Sequence, residues 1–338
     1  MDEKKESVGG LLLVPYMEKV IGTLKTDRKL PAVRTYTATK NSFAGFCREK
    51  ELPTEITEVF TAGRLKEYEH WLRGRDAEWN TVSTYMRTLK AVYNRLVAEK
   101  ALAYDRKLFA DVYTRVESRM KRALTEGQMN TLLHAGFEGL PEEVQCALAY
   151  FLLMFMFHGM PFIDLAYLRK KDLRGGCIVY CRHKTGRQIT VRIPPEAKAL
   201  LERFRSKDDT SIYLFPILDG QAGGGKTKET GILLYERYEK ALGGFNRKIA
   251  KAAALLLPSV AISSYTARHT WATLAFHAGI PIGIISKALG HSSIKVTETY
   301  LKPFENEKVD VANDELIGSV GRGGEEKIAS IENCITAC

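Results

Sequence analysis

Residues 288–300 read ALGHSSIKVTETY, and this stretch decides how the whole chain is interpreted. A helical pattern that starts at a proline runs into it and should end at Gly290. His291 follows that glycine, so we expect it to be exposed at a helix end. One of the next two serines can cap a further helix whose second turn carries Tyr300. The sequence thus predicts a helix–turn–helix that carries a histidine and a tyrosine nine residues apart.

Two upstream segments place further polar side chains at the ends or tips of elements. Residues 265–279, YTARHTWATLAFHAG, predict a helix that stops at a glycine and carries Tyr265 and Arg268 on one side. Residues 177–193, CIVYCRHKTGRQITVRI, predict a β-hairpin with Lys184 in its basic tip. Each of these side chains alone would be an ordinary surface or packing residue. Their combination, order and spacing point to chemistry.

Composition bounds the class of protein. A chain of 338 residues suggests about two domains, and 45% hydrophobic with 27% charged residues is typical of globular proteins. The longest apolar run, 147–157, falls short of the ~20 residues that a membrane span needs, and the run at 11–14 is too short for a signal peptide. The six cysteines have no metal-ligand spacing. We therefore predict a cytoplasmic protein with free thiols and without a metal or a membrane partner.

The charge distribution suggests a partner. The chain has a net charge of +10, but residues 305–338 carry −5, so residues 1–304 carry +15. A body this basic with an acidic tail suggests a polyanion such as nucleic acid. A basic surface that only keeps the protein in solution is the alternative, and composition alone does not separate the two.

The pattern divides the chain into a helical block, a basic connector and a second domain. In residues 80–100 apolar side chains recur at intervals of three and four, and Arg87 and Lys90 fall on the polar side. Helices are also predicted over 34–50 and 61–75. We assign residues 1–14 to an N-terminal extension, 15–104 to a helical domain, 105–124 to the connector, 125–304 to the second domain and 305–338 to an acidic tail.

The connector carries Arg119, Lys121 and Arg122 close together. Such a run is either solvated or follows a phosphate backbone between two basic domains. The second domain begins at Thr125, which forms a capping-box pattern with Gln128. Besides the hairpin, it should contain a buried helix over 147–157 and a longer helix over 230–257.

A competing motif is GQAGGGKT, Gly220–Thr227, which matches a nucleotide-binding P-loop. Such loops require a parallel sheet with alternating helices, whereas the surrounding pattern is largely helical. We interpret the stretch as a flexible glycine-rich turn. A nucleotide-driven enzyme is the alternative, and it would depend on Lys226.

The combination ARHTWATLAFHAG, LGHSS and TETYL, after a basic connector and a hairpin lysine, resembles the tyrosine recombinase (phage integrase) family. FIDLAYLRKKDL and SSYTARHTWAT look most like the versions in integrases and invertases of Bacteroides and its relatives. The resemblance spans residues 15–304. It implies a mainly α fold with a small β-hairpin sheet. An N-terminal SAM-like core-binding domain and a C-terminal catalytic domain would form a clamp around double-stranded DNA.

The resemblance implies a site-specific recombinase that needs no metal, cofactor or ATP. Tyr300 would attack the phosphate and form a 3′-phosphotyrosine. Arg268 and His291 would bind the phosphate oxygens, and Lys184 would protonate the leaving 5′-oxygen. Tyr265 stands where the family usually has histidine or lysine, and its phenol can still donate to phosphate. The basic residues that would contact the DNA backbone are Arg87, Lys90, Arg119, Lys121 and Arg122.

One residue of the family pattern is missing. The first active-site arginine normally lies near the glycine of FHGMPFIDL, and residues 151–168 contain no arginine. One alignment places His158 at that position, and the other places Pro161 there. If His158 takes the role, we expect a slow recombinase that works faster at mildly acidic pH. Alternatively, Arg182 or Arg187 beside the hairpin lysine supplies the charge.

The resemblance also implies an assembly. It predicts a homotetramer on two paired DNA sites, an accessory DNA-bending protein, a place on a bacterial mobile element and association with the nucleoid. The acidic tail would dock on a neighbouring subunit. Integration, excision and inversion stay open, as does relaxation of supercoiled DNA by the same chemistry. The alternative function is that of a DNA-binding family member with weakened or lost catalysis.

Overall fold

The computed structural model describes residues 10–117, 123–219, 231–301, 310 and 313–318. Within these ranges the chain forms two compact units. The first holds residues 10–117 with 231–236, and the second holds the residues from 123 onward apart from that short segment. None of the helices in the described ranges is long and apolar enough to cross a membrane.

Helices build the first unit. They are α1 (Leu13–Thr26), α2 (Leu30–Glu49), α3 (Ile56–Val59), α4 (Ala62–Arg73) and α5 (Trp79–Ala98). The apolar stripe of α5 is buried, and Val82, Met86 and Leu89 are fully shielded from solvent. The stripe shares one core with the rings of Phe43 and Tyr68, whose centres are 4.9 Å apart. The helices predicted over 34–50, 61–75 and 80–100 are confirmed.

The polar side of α5 faces solvent, and part of the predicted connector packs into this unit. Arg87 and Lys90 are exposed, and Lys90 Nζ lies 5.7 Å from the ring centre of Phe109. Leu108 and Val112 of the connector are buried in the same core. The apolar side chains of the connector therefore bind its first part to the helical unit. Arg119, Lys121 and Arg122 lie outside the described residues.

The second unit combines helices with a small sheet. Its described elements are α6 (Glu126–His134), α7 (Glu142–Met156), α8 (Phe162–Tyr167), a 3-10 turn (Lys170–Asp172), β1 (Leu173–Arg174), β2 (Cys177–Cys181), β3 (Gln188–Arg192), α9 (Pro195–Phe204), most of α10 (Gly231–Leu256), α11 (Ser264–His277), α12 (Ile282–Leu289) and α13 (Ile294–Glu298). The capping box of Thr125 and Gln128 is confirmed at the start of α6. The helices predicted over 147–157 and 230–257 correspond to α7 and α10.

The three strands form an antiparallel sheet in the order β1-β2-β3. Cys181 pairs with Gln188 at the end of the ladder between β2 and β3, so residues 182–187 form the tip of the predicted hairpin. β1 has only two residues, which is too short to show the alternation of apolar and polar side chains that reveals a strand. The sequence therefore did not predict it. Parallel strands of the kind a P-loop needs are absent from the described ranges, and Gly220–Thr227 itself lies outside them.

The chain reverses after α7 through two residues with positive φ, His158 at 57° and Gly159 at 63°. A Cβ atom at position 159 would come within 3.0 Å of the Cα of Arg268. This position therefore requires glycine both for its backbone conformation and for its close approach to α11. The turn lays a backbone carbonyl directly beside the Arg268 side chain.

α12 ends as the sequence predicts, whereas α13 is shorter than expected. Gly290 adopts φ 67° after α12, and the N–H of His291 donates to the carbonyl of Ser286 at 3.0 Å. The prediction that Tyr300 lies in the second turn of the helix after Gly290 is wrong. α13 has five residues, so Tyr300 follows it in a turn and donates its N–H to Thr297 O at 2.8 Å. Most residues from 294 to 299 are β-branched, which supports a long helix poorly.

We expect Gly290→Ala to destabilise the protein by about 1–3 kcal/mol, because a side chain disfavours this backbone conformation. Its Cβ would also lie 2.5 Å from Ile189 Cδ1. The control is Gly283→Ala, because Gly283 lies in α12 with open space around it and should gain up to ~1 kcal/mol in helix propensity. Chemical denaturation measures both free energies of unfolding. Equal stabilities for the two variants would contradict the requirement for glycine at position 290.

Candidate active site

Arg268 lies at the centre of a polar cluster in the second unit. It sits in the second turn of α11, and only 2% of its surface is exposed. Its Nη1 donates to the carbonyl of Gly159 at 2.9 Å, and its Nη2 donates to the carbonyl of Leu289 at 2.7 Å. These carbonyls follow α7 and end α12, where the helices leave acceptors unpaired. Burial of the guanidinium is thus supported by two helix ends.

His291 also contacts the Arg268 guanidinium. Its Nε2 lies 2.9 Å from Arg268 Nη2, and its Nδ1 lies 2.9 Å from Thr297 Oγ1. Because an arginine only donates, Nε2 is the acceptor, and Nδ1 carries the proton that is donated to Thr297. The imidazole is only 8% exposed, so the prediction of an exposed histidine is wrong. The left-handed turn at Gly290 directs the side chain inward.

The electrostatic environment keeps His291 neutral. Burial, and then the charges of Arg268, Arg182 and Lys184, lower the pKa of His291 to about 4. Burial and the neighbouring Arg182 also lower the pKa of Arg268, although an arginine stays charged in proteins. The cluster is therefore positive, and it disfavours any further cation.

Tyr300 packs against this cluster. Its ring centre lies 4.8 Å from that of His291 and 4.8 Å from that of His269. The guanidinium carbon of Arg268 lies 5.3 Å from the Tyr300 ring centre. Three side chains selected from the sequence, Arg268, His291 and Tyr300, are thus brought together.

His269 was missed by sequence reasoning. Its Nδ1 lies 3.3 Å from the backbone oxygen of Tyr300, and its ring lies 6.3 Å from that of Tyr265. The spacing in the sequence could have revealed His269. It follows Tyr265 by four residues, so the two side chains share one side of α11. Tyr265 itself is 60% exposed, beside a cavity of about 50 Å³ that Arg268 also lines.

The hairpin tip lies beside the same cluster. Lys184 is exposed there, in a turn closed by the N–H of Gly186 donating to the carbonyl of Arg182 at 2.8 Å. Arg187 Nη1 donates to the backbone oxygen of His291. The charge of Lys184 also contributes to lowering the pKa of His291. The tip therefore carries a cationic side chain with a long, flexible stem at the edge of the buried cluster.

Arg182 extends the cluster, and sequence reasoning did not anticipate its burial. Only 7% of it is exposed, and its Nη1 donates to the carbonyl of Leu289. Its Nε lies 2.6 Å from Asp164 Oδ2, and Asp164 Oδ1 accepts the N–H of His183 at 2.8 Å. Asp164, a second residue missed from the sequence, thus fixes the base of the hairpin tip.

His158 lies apart from these contacts. Its ring packs against Trp271 with the centres 5.4 Å apart. Burial lowers its pKa, and its Nδ1 has no hydrogen-bond partner among the described residues. Pro161, the other position considered for the missing arginine, precedes α8 and has no side-chain donor. The role of His158 in catalysis stays a prediction.

The arrangement suits an anion beside a hydroxyl group. The Arg268 guanidinium lies over the Tyr300 ring, and such a group can neutralise charge on phosphate oxygens. Within the described ranges no three His, Cys, Asp or Glu side chains are grouped as metal ligands would be. The predicted backbone contacts Arg87 and Lys90 belong to the first unit.

Comparisons with known proteins agree in family and fold. The phage integrase family matches residues 122–307, and the phage integrase SAM-like domain matches residues 12–110. A tyrosine recombinase of Thermosipho africanus is 21% identical over 242 residues, 71% of this chain and 77% of the relative. The tyrosine recombinase XerD of Rickettsia conorii is 22% identical over 258 residues, 71% and 78% of the two chains.

Solved structures share the fold. The Tn1549 transposon integrase in complex with circular intermediate DNA matches with a TM-score of 0.59 at 18% identity, over 91% of this chain and 99% of that chain. A lambda integrase dimer bound to a COC' core site matches with a TM-score of 0.56 at 14% identity, over 86% and 77% of the two chains.

The lowered pKa of His291 predicts a specific acid sensitivity. The unfolded chain binds a proton at this histidine below pH ~6.5, whereas the folded chain does so only below about 4. Stability from the neutral imidazole is therefore complete above pH ~6.5 and is lost as the pH falls towards 4. Because each pKa unit corresponds to ~1.4 kcal/mol, the loss reaches ~3.5 kcal/mol at most.

Denaturation of the wild type and His291→Gln at pH 7, 5.5 and 4 measures this loss. We expect the wild type to lose more stability than the variant over that range. His134→Gln, which removes an exposed histidine of α6, is the control and should follow the wild type. Parallel curves for wild type and His291→Gln would contradict the lowered pKa.

Proposed function

The chain belongs to the phage integrase family of tyrosine recombinases, and from this membership we propose that it cuts and rejoins double-stranded DNA at specific sites through a covalent 3′-phosphotyrosine. The observation that carries the proposal is the packing of Arg268, His291 and Tyr300 into one cluster. The Tn1549 integrase structure is a complex with circular intermediate DNA, and the lambda integrase dimer is bound to a COC' core site. The charge of +15 over residues 1–304 supports the same partner here.

The proposed reaction needs no external energy source, because the energy of the cleaved phosphodiester bond is retained in the bond between Tyr300 and phosphorus. The Tyr300 phenol gives its proton to solvent, and its oxygen attacks phosphorus. A tyrosine–phosphorus bond forms, and the bond from phosphorus to the 5′-oxygen breaks. Attack by the 5′-hydroxyl of a second strand reverses these steps and releases Tyr300. Charge that develops on the nonbridging oxygens is neutralised by Arg268, whose fork of donors is already held in place.

Proton transfer and hydrogen bonding to the phosphate are proposed for the side chains around Arg268. Lys184, exposed on the hairpin tip, is proposed to protonate the leaving 5′-oxygen. His291 is neutral and accepts from Arg268, so it orients the guanidinium in the DNA-free protein. A bound phosphate would favour protonation of the imidazole and allow it to donate. Tyr265, exposed on the first turn of α11, is proposed to donate to the phosphate.

We further propose that the active form is a homotetramer on two paired sites, with the N-terminal and catalytic units clamping the DNA and an accessory protein bending it. The acidic tail is proposed to dock on a neighbouring subunit. Leu316 and Ile317 of the tail are 59% and 63% exposed, which supports an apolar contact with another chain.

Tyr300→Phe should abolish covalent attachment to DNA, because phenylalanine keeps the ring but lacks the attacking oxygen. The assay uses nicked suicide substrates whose sequence comes from inverted or direct repeats beside the gene. These substrates trap the covalent adduct, which survives detergent. We expect wild type to accumulate adduct and the variant to bind DNA with affinity changed less than about twofold. Tyr104→Phe, which alters a tyrosine 69% exposed in the first unit, is the control and should behave as wild type.

Normal adduct yield from Tyr300→Phe would overturn the assignment of the nucleophile. Specific binding by the wild type without any adduct would instead favour the DNA-binding family member that has lost catalysis. Adduct formation with relaxation of supercoiled plasmid, but without strand exchange, would indicate a topoisomerase.

The basic residues proposed to contact phosphates should make DNA binding depend on salt. Each phosphate neutralised adds about 0.9 to the slope of log affinity against log salt. Replacing Arg87 and Lys90 by alanine should therefore reduce that slope by about 2, and replacing Arg119, Lys121 and Arg122 should reduce it by about 3. Lys198→Ala, at an exposed position of α9, serves as the control. An unchanged slope would indicate that these side chains are only solvated.

A further inference from the structure

Two guanidiniums lie side by side in the second unit. Arg182 Nη1 and Arg268 Nη2 both donate to the carbonyl oxygen of Leu289. Only 7% of Arg182 and 2% of Arg268 are exposed. The two cations come from different elements, the hairpin tip and α11, so the fold and not local sequence brings them together.

The charges of this pair are only partly balanced. Asp164 is the one carboxylate that pairs with either guanidinium in the described part of the chain. Even with Asp164 ionised, two arginines leave one positive charge in a poorly solvated place, and Lys184 adds another at the edge. Like charges held together away from water repel strongly. An anion bound beside the pair would neutralise the excess charge.

One nitrogen of each guanidinium has no hydrogen-bond partner among the described residues. Arg182 directs Nε to Asp164 and Nη1 to Leu289, which leaves Nη2 without a described partner. The buried Nε of Arg268 likewise has no hydrogen-bond partner among the described residues. Asp164 acts here as a positioning residue, because it holds both the Arg182 side chain and the N–H of His183.

We propose that Arg182 is a catalytic residue that binds a nonbridging oxygen of the scissile phosphodiester together with Arg268. This inference rests on the proposed function. The other candidates for the second cation fit less well. His158 packs on Trp271, and Arg187 is exposed and donates to the backbone of His291.

The test compares two suicide substrates in single-turnover cleavage. One carries the natural phosphodiester, and the other carries a methylphosphonate at the scissile position, where a methyl group replaces one charged oxygen. Loss of a transition-state donor slows cleavage roughly a hundredfold or more. We expect Arg182→Lys to cleave the phosphodiester more slowly than the wild type by this factor. On one methylphosphonate diastereomer its cleavage rate should differ from that of the wild type by only a few-fold. The charge that Arg182 neutralises is absent from that substrate.

Two further variants separate chemistry from folding. Arg182→Gln combined with Asp164→Asn avoids leaving a buried carboxylate unpaired, and it should show the same substrate dependence as Arg182→Lys. Arg192→Ala, which removes an exposed cation from β3 of the same sheet, should cleave both substrates at the wild-type rate. Thermal unfolding and DNA affinity identify any variant that has simply lost its fold.

The outcomes distinguish this inference from the function it rests on. Slow cleavage of the phosphodiester with recovery on the methylphosphonate supports a direct role for Arg182. Wild-type rates in the Arg182 variants, or an equal loss on both substrates, overturn that role and leave Arg182 as a structural ion pair. A wild-type protein that forms no adduct overturns the proposed function, and the inference with it.

Discussion

Burial of the Arg268 guanidinium is the constraint on which the second unit depends. A buried cation with unpaired donors is costly, so acceptors must be brought to it from elsewhere in the chain. The carbonyls of Gly159 and Leu289 serve because chain reversals after α7 and α12 leave them unpaired. Both reversals use a glycine with positive φ, at 63° and 67°. The ends of two helices are thus fixed by one side chain of a third.

The same constraint creates the electrostatic character of the site. Packing Arg182 beside Arg268 makes the interior positive, and this field together with burial keeps His291 neutral. Charges held in a poorly solvated place act more strongly on a bound phosphate than charges in water do. Lys184 stays exposed on the hairpin tip, outside this buried group. Buried and exposed cations of the site are therefore supplied by different elements, α11 and the hairpin tip.

Local sequence signals predicted most elements because their causes are local. The stripe of α5, the capping box at Thr125 and the stop at Gly290 each depend on residues within one or two helical turns. The hairpin followed from two β-rich runs around a glycine-containing tip. Where local signals were weak, the predictions failed: α13 is short, and β1 has only two residues.

The sequence by itself determined the hairpin, the helices with a strong local pattern, the family of the chain, and the grouping of Arg268, His291 and Tyr300 as one set. Tertiary structure alone decided that His291 is buried, that Asp164 pairs with Arg182, and that His158 packs on Trp271. Arg182 and Leu289 are 107 residues apart in the chain. Periodicity and capping extend over a few residues only, whereas the balance of buried charge depends on which distant backbone and side-chain groups share the same space.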